Sequence, residues 1–283
     1  MKYNNSPIGI FDSGLGGLTV FKEIRKILPD EDLIYFGDTA RVPYGNKSKD
    51  TILRYSAEIS KFLTGKGVKI IIVACNTSSS LALEDLQKEE KIPVFGVIEP
   101  GAKRAVEVSC GGNIAVIGTS ATIKSRTYSR VIYEEIESLS EHEKGKFKNN
   151  FNFKIIEKPC PLLVPLVEEG FLNDEITKGV IAYYLDSVVK EKPSCLVLGC
   201  THYPILKDLI SEVIGKDIQM IDSGIETAKT IKCFLEENTI LKDGAGMGNE
   251  SFFVTDDPEK FKGLGEKFLG RAIKNVAVIN LSL

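Results

Sequence analysis

The sequence predicts an α/β protein of two similar parallel-sheet units. Three observations lead there. Short apolar runs alternate with helical stripes along most of the chain. Two runs, VKIIIVA at Val68–Ala74 and SCLVL at Ser194–Leu198, are apolar almost throughout, the pattern of strands covered on both faces. Two strand ends also repeat: IIVACNT at Ile71–Thr77 matches LVLGCTH at Leu196–His202, and IGIFDSG at Ile8–Gly14 matches IAVIGTS at Ile114–Ser120.

In chain order, Pro7–Phe11 is the first strand and ends in the turn signal Asp12-Ser13-Gly14. Leu18, Phe21, Ile24 and Leu28 follow at helical spacing, closed by Pro29. Leu33–Phe36 is a second strand. Ile52, Tyr55, Ile59 and Phe62 make the stripe of a helix, with Gly65 and Gly67 past its end. Val68–Ala74 and Val94–Ile98 complete the first set. The pattern restarts with Asn113–Ile117, Phe153–Ile156 and Ser194–Leu198, and Ile218–Ile221 follows after a helix. The polar stretch Ser138–Asn152 reads as an exposed helix end and loop, with His142 solvated there.

Composition narrows the function classes. The 283 residues are 43% hydrophobic and 27% charged with a net charge of -3, so neither disorder nor nucleic-acid binding fits. No apolar run reaches the roughly 18–20 residues that span a bilayer, and MKYNNSPIGIFDSG does not read as a secretory signal. A cytoplasmic protein is expected, with its six cysteines reduced. Two His and no C-x-x-C pair predict no metal site.

Ligands of open parallel sheets bind beyond the carboxyl ends of the strands. Those positions hold Asp12-Ser13, Asp38, Cys75-Asn76-Thr77, Glu99, Gly118-Thr119, Cys200-Thr201-His202 and Asp222-Ser223, nearly all small and polar or reactive. A thiol before a helix N-terminus is expected to have a lowered pKa. Cys75 and Cys200, in matching contexts, are the candidate reactive pair, while Cys195 lies within a strand and reads as core. His202 is a candidate acid/base or its orienting partner. Asp12 reads as a partner for a substrate amine or as a helix cap. In Gly14-Leu15-Gly16-Gly17 the dinucleotide fingerprint fails at Thr19, and the run instead lets backbone amides approach a small carboxylate. No lysine stands at these strand ends, so pyridoxal phosphate is not expected and no cofactor is predicted.

Six segments carry a family resemblance: IGIFDSGLGGLTV (Ile8–Val20), YFGDTARVPYG (Tyr35–Gly45), VACNTSSS (Val73–Ser80), GVIEPGA (Gly96–Ala102), LVEEG (Leu166–Gly170) and LGCTHYP (Leu198–Pro204). Together they resemble the cofactor-independent aspartate/glutamate racemases, and YFGDTARVPYG favours glutamate over aspartate or hydantoins. The resemblance implies two α/β domains related by a pseudo-two-fold axis, a discontinuous first one at 1–98 plus 208–283 and a second at 99–207, with the active site in the cleft between them. It implies Cys75 and Cys200 as catalytic thiols assisted by His202, Asp12 and Glu168. It implies a substrate site lined by Asp12, Ser13, Tyr44, Gly45, Asn76, Thr77, Thr201 and His202, with Thr119 and Thr122 on the side-chain carboxylate. Cys75 would act on D-glutamate and Cys200 on L-glutamate, the product serving peptidoglycan synthesis. Members are often homodimers, but no interface signal stands in the sequence. Another two-cysteine racemase of this fold, for example an aspartate racemase, and a non-catalytic binder of acidic amino acids are the alternative readings.

Overall fold

The structure, a computed structural model, describes residues 3–140, 145, 153–244 and 246–281. The polar stretch containing His142 lies largely outside the described residues. The chain divides into two compact units, residues 1–97 with 224–283, and residues 98–223.

The first unit opens with strands β1 (Ile8–Asp12), β2 (Leu33–Gly37), β3 (Ile70–Val73) and β4 (Val94–Gly96). Helices α1 (Leu18–Ile27), α2 (Lys49–Gly65), α3 (Asn76–Leu81) and α4 (Leu83–Glu89) connect them. The strands run parallel in the order β2-β1-β3-β4. β1, β2 and β3 are buried along their whole length. Ser48 caps α2 by accepting from the Thr51 amide, and Gly67 at φ +73° turns the chain toward β3 after the helix ends.

The second unit repeats this plan. Strands β5 (Ile114–Gly118), β6 (Ile155–Pro159), β7 (Cys195–Gly199) and β8 (Gln219–Asp222) run parallel in the order β6-β5-β7-β8. Its helices are α5 (Ile98–Ser109), α6 (Ser120–Lys124), α7 (Thr127–Ser138), α8 (Leu163–Glu168), α9 (Glu175–Lys190) and α10 (Lys207–Ile214). The register is also repeated: Ile8 lies opposite Leu33 and Ile70, and Ile114 opposite Ile155 and Cys195. Counted from those rungs, Cys75 corresponds to Cys200, Ser13 to Thr119, Asp12 to Gly118 and Asp38 to Cys160.

The return to the first unit comes after Ser223, not at residue 208 as the resemblance implies. The reason is pairing: β8 is the fourth strand of the second sheet, with Cys195 opposite Gln219, so α10 and β8 complete that repeat. Gly96 ends β4, and Ile98 opens α5 where the sequence reading extended the strand.

Helix α11 (Ser223–Glu237) leads back to β9 (Glu250–Val254), α12 (Pro258–Leu269) and β10 (Val276–Val278). β9 pairs with the outer edge of β2, and β10 with β9. The alternation of strand faces explains the fit. Tyr35 and Phe252 pack with Phe21 and Phe261 on one face of the sheet. Phe36 and Phe253 meet Phe62 on the other. In the second unit β6 has no strand beyond it among the described residues, and Lys154 and Lys158 flank and occupy that edge.

Each unit has its own core. Phe11, Ile34, Phe36, Ile59, Leu63, Ile71 and Val73 fill the first. Ala102, Ile114, Val116, Tyr128, Ile132, Cys195 and Val197 fill the second. At the end of β2 the packing is backbone on backbone: a Cβ on Gly37 would lie 2.3 Å from the Gly14 carbonyl oxygen. Gly37→Ala should therefore cost about 1–3 kcal/mol of unfolding free energy in urea. An unchanged urea midpoint would contradict this close approach.

Candidate active site

In the first unit the candidate residues gather at the carboxyl ends of β1, β2 and β3. Cys75 leaves β3 and is the N-cap residue of α3, in extended backbone, with its carbonyl accepting from the Ser79 amide at 2.8 Å. Only 5% of Cys75 is exposed. Asn76 and Thr77 form the first helical turn and are buried. Asp12 ends β1 wholly buried, and Ser13 follows it half-buried. Tyr44 and Gly45 open a 3-10 turn at Tyr44–Asn46. The Tyr44 ring shares a buried apolar cluster with Cys75, Ile52 and Ala82.

The electrostatics of Cys75 correct the sequence reading. Burial pushes its thiol up from the ordinary 9.0 to about 11, and the charge of Asp12 adds to the effect. The Ser78 amide and the Ser13 and Ser78 hydroxyls pull the other way but are outweighed. The helix N-terminus does supply donors, as expected. Removal from water and a neighbouring carboxylate decide the sign.

The Gly-rich turn also differs from expectation. The Gly14 amide donates to Asp12 Oδ2 at 3.0 Å, so this amide serves the protein's own carboxylate. A Cβ on Gly17 would lie 2.5 Å from Asp12 Cβ, so glycine makes room for that side chain.

In the second unit Cys200 leaves β7, again 5% exposed. Here a turn and the 3-10 segment Tyr203–Leu206 come before α10, so the thiol does not cap an α-helix directly. The Cys200 Sγ lies 3.8 Å from His202 Nδ1, and His202 Nε2 lies 3.1 Å from Glu168 Oε1 at the end of α8. Sequence spacing alone could not join Glu168 to His202, 34 residues apart. Burial disfavours charge on the imidazole, but Cys200 and Glu168 on its two nitrogens outweigh it and raise its pKa to about 10. His202 is then an imidazolium at neutral pH, donating from both nitrogens. Thr201 is buried beside it. The Tyr203 hydroxyl donates to the Cys160 carbonyl at 2.9 Å and ties this turn to the end of β6.

Thr119 ends the β5 connection and caps α6, accepting from the Thr122 amide at 3.2 Å. The Thr119 and Thr122 hydroxyls lie 3.0 Å apart, a close pair of polar groups. One charge escaped the sequence reading. Lys207 heads α10, yet its Nζ reaches Asp222 Oδ2, at the end of β8, at 2.5 Å. The ion pair commits this ammonium to a carboxylate. Glu99, read as a strand-end residue, lies exposed in the first turn of α5. The sequence reading also missed Arg41 and Thr255, which both bond Asp38. No helix among the described residues is long and apolar enough to cross a membrane.

The raised pKa values set the sign of the pH dependence. Both groups hold a proton more tightly folded than unfolded. The His202 contribution to stability is full below about pH 6.5 and is lost as pH rises through about 10. That of Cys75 is full below about pH 9 and is lost through about 11. The urea midpoint should fall between pH 7 and 11, and fall less from 9 to 11 in Cys75→Ala. A midpoint that rises across this window would refute the assigned shifts. Alkylation of Cys75 by iodoacetamide, followed by mass spectrometry, should accelerate about tenfold per pH unit from 7 to 10. A plateau near pH 8 would show an ordinary or lowered thiol pKa instead.

The Asp/Glu/Hydantoin racemase family model matches residues 8–231. A glutamate racemase of Geobacter metallireducens is 46% identical over 274 residues, 97% of this chain and 96% of that protein. One of Persephonella marina is 47% identical over 266 residues, 94% of each. Among solved structures, the glutamate racemase of Francisella tularensis in complex with D-glutamate superposes with a TM-score of 0.86 at 38% identity, covering 98% of both chains. The Picrophilus torridus aspartate racemase, at 18% identity and a TM-score of 0.54, shares the fold alone. Near-complete coverage at such identity, together with the family match, makes this chain a member of the Asp/Glu/Hydantoin racemase family.

Proposed function

We propose that the chain is a glutamate racemase that interconverts L- and D-glutamate, with Cys75 and Cys200 as bases for opposite faces of Cα. The observation that carries this reading is the repeated register. Each sheet offers one thiol, at the corresponding position beyond its third strand. The named activity of relatives at 46–47% identity supports glutamate as the substrate, and aspartate is the second reading.

Racemisation removes a proton from one face of Cα and delivers one to the other, which two fixed groups do without swinging a base around the substrate. With L-glutamate, the Cys200 thiolate forms its S–H bond as the Cα–H bond breaks, and the electron pair stays on the substrate. The Cys75 S–H bond then breaks, its proton goes to the opposite face, and Cys75 is left as thiolate. D-Glutamate reverses both steps. A Cys75 that keeps its proton to about pH 11 suits the donor half of the first direction. His202 Nδ1 stands 3.8 Å from the Cys200 sulfur, and Glu168 holds the other ring nitrogen.

The carbanion forms without an electron-sink cofactor in this scheme, so fixed dipoles must meet its charge. Asn76, Thr77, Thr201 and the α3 amides fill that role. By the family resemblance, Asp12, Ser13, Tyr44, Gly45 and His202 would bind the substrate, with Thr119 and Thr122 for the side-chain carboxylate. The protein would work in the cytoplasm, as a homodimer like many members, and supply D-glutamate for peptidoglycan.

Polarimetry with L-glutamate and then L-aspartate tests the substrate. Loss of rotation with glutamate is expected, whereas saturable binding with no loss of rotation would make the protein a binder. Cys75→Ala and Cys200→Ala should each lower racemisation roughly 100- to 10,000-fold. In heavy water, any residual Cα exchange should be confined to L-glutamate in the first variant and D-glutamate in the second. Cys195→Ala, in the β7 core, should cost stability and leave the rate near that of the parent. Either cysteine variant racemising at the parent rate while folded would refute the two-base assignment.

A further inference from the structure

One side chain beyond the stretch matched by the family model reaches the Cys75 side of the first unit. Thr255 directly follows β9, and its hydroxyl donates to Asp38 Oδ1 at 2.9 Å while accepting from the Ala40 amide at 2.9 Å. The other oxygen of Asp38 accepts from Arg41 Nε at 2.7 Å and from the Tyr44 hydroxyl. Arg41 is itself held by Glu58 and lies 3.9 Å over the Tyr55 ring, and Tyr55 packs against Tyr44 with ring centroids 5.7 Å apart. A second threonine locks the same corner: the Thr39 hydroxyl donates to the Asp256 carbonyl and accepts from the Asp256 amide.

Asp38 is wholly buried. A buried carboxylate is stable only with its oxygens covered by donors. Three donors cover this one: Arg41 and Tyr44 from the segment after β2, and Thr255 from the far end of the chain. The Tyr44 hydroxyl has a single proton to donate, and its hydrogen bond goes to Asp38. The orientation of the phenol is therefore set by where Asp38 stands, and the phenol ring in turn packs in the cluster that contains Cys75.

We propose that Thr255 and Arg41 are positioning residues for proton transfer at Cys75: they hold Asp38 from two sides, and Asp38 through the Tyr44 hydroxyl fixes the packing around the thiol. The proposal rests on the two-thiol reading above, in which Cys75 takes the proton of D-glutamate.

A racemase has an equilibrium constant of one, so kcat/KM must fall equally in both directions. Isotope effects separate the two half-reactions. A misplaced Cys75 makes its own proton transfer more rate-limiting and that of Cys200 less so. In Thr255→Val, which keeps the branched shape and removes the hydroxyl, kcat/KM should fall about 5- to 50-fold. The primary deuterium effect on kcat/KM should rise with [2-2H]-D-glutamate and fall with [2-2H]-L-glutamate. Arg41→Lys, which leaves β9 untouched, should show the same opposite shifts. Thr255→Ser, with its hydroxyl restored, should return kinetics and isotope effects toward the parent values. A role confined to tying β9 to β2 would lower the melting temperature without moving either isotope effect.

Parent-like isotope effects in either folded variant overturn the proposal, and the two variants reach Asp38 independently, so one folded protein is enough. Cys75→Ala, assayed in parallel, keeps the underlying reading separate. If it racemises at the parent rate the two-thiol reading fails, whereas its inactivity beside unshifted isotope effects in Thr255→Val removes only the positioning role.

Discussion

Parallel pairing of the first strand of each repeat with the third carries everything else in the protein. It brings the turn after β1 beside the turn after β3, and the turn after β5 beside the turn after β7. In a parallel sheet all carboxyl ends lie on one side, so side chains far apart in sequence converge without special loops. Asp12 and Cys75 are neighbours for that reason alone. A slip of one residue in the β1–β3 register would turn the whole β3 face over and take Cys75 away from Asp12 and Ser13.

The repeat preserves position and changes chemistry. Cys75 has a buried carboxylate beside it and is held as thiol. The position of Asp12 is taken by Gly118 in the second unit, and that of Asp38 by Cys160. Cys200 has a cationic imidazole instead, held by Glu168. Charge of opposite sign thus stands beside two thiols that share one backbone geometry. The difference comes from side chains at strand ends, where substitution leaves the cores intact.

Much of this architecture is legible in the sequence because continuous apolar runs mark strands buried on both faces. β1, β2, β3, β5 and β7 lie within two residues of the expected runs, and their ends carry the site. What escaped has physical causes. The boundary at 208 came from the resemblance; β8 itself is exposed at Gln219, and nothing in QMID tells which sheet it joins. β9 is a run of three apolar residues among polar ones, and α12 carries Gly263 and Gly265, which weaken a helical signal. Thr255 and Asp38 are 217 residues apart, beyond the reach of any local pattern. The direction of the Cys75 shift escaped for another reason. Helix amides can be counted from a sequence, but the depth of burial and the place of Asp12 cannot.

The covering of β2 by β9 bears on how the chain reaches its native state. The second unit is continuous in sequence, residues 98–223, and all its strand pairings are available once that stretch exists. The first unit is not. Leu33 pairs with Glu250, so the edge of β2 stays open until the last sixth of the chain has been made. During synthesis the second unit is able to fold while the first holds an unpaired parallel edge of Leu, Ile, Tyr and Phe. The N-terminal third of the sequence is thus the later to be completed, and loss of the C-terminal strands would leave this edge bare.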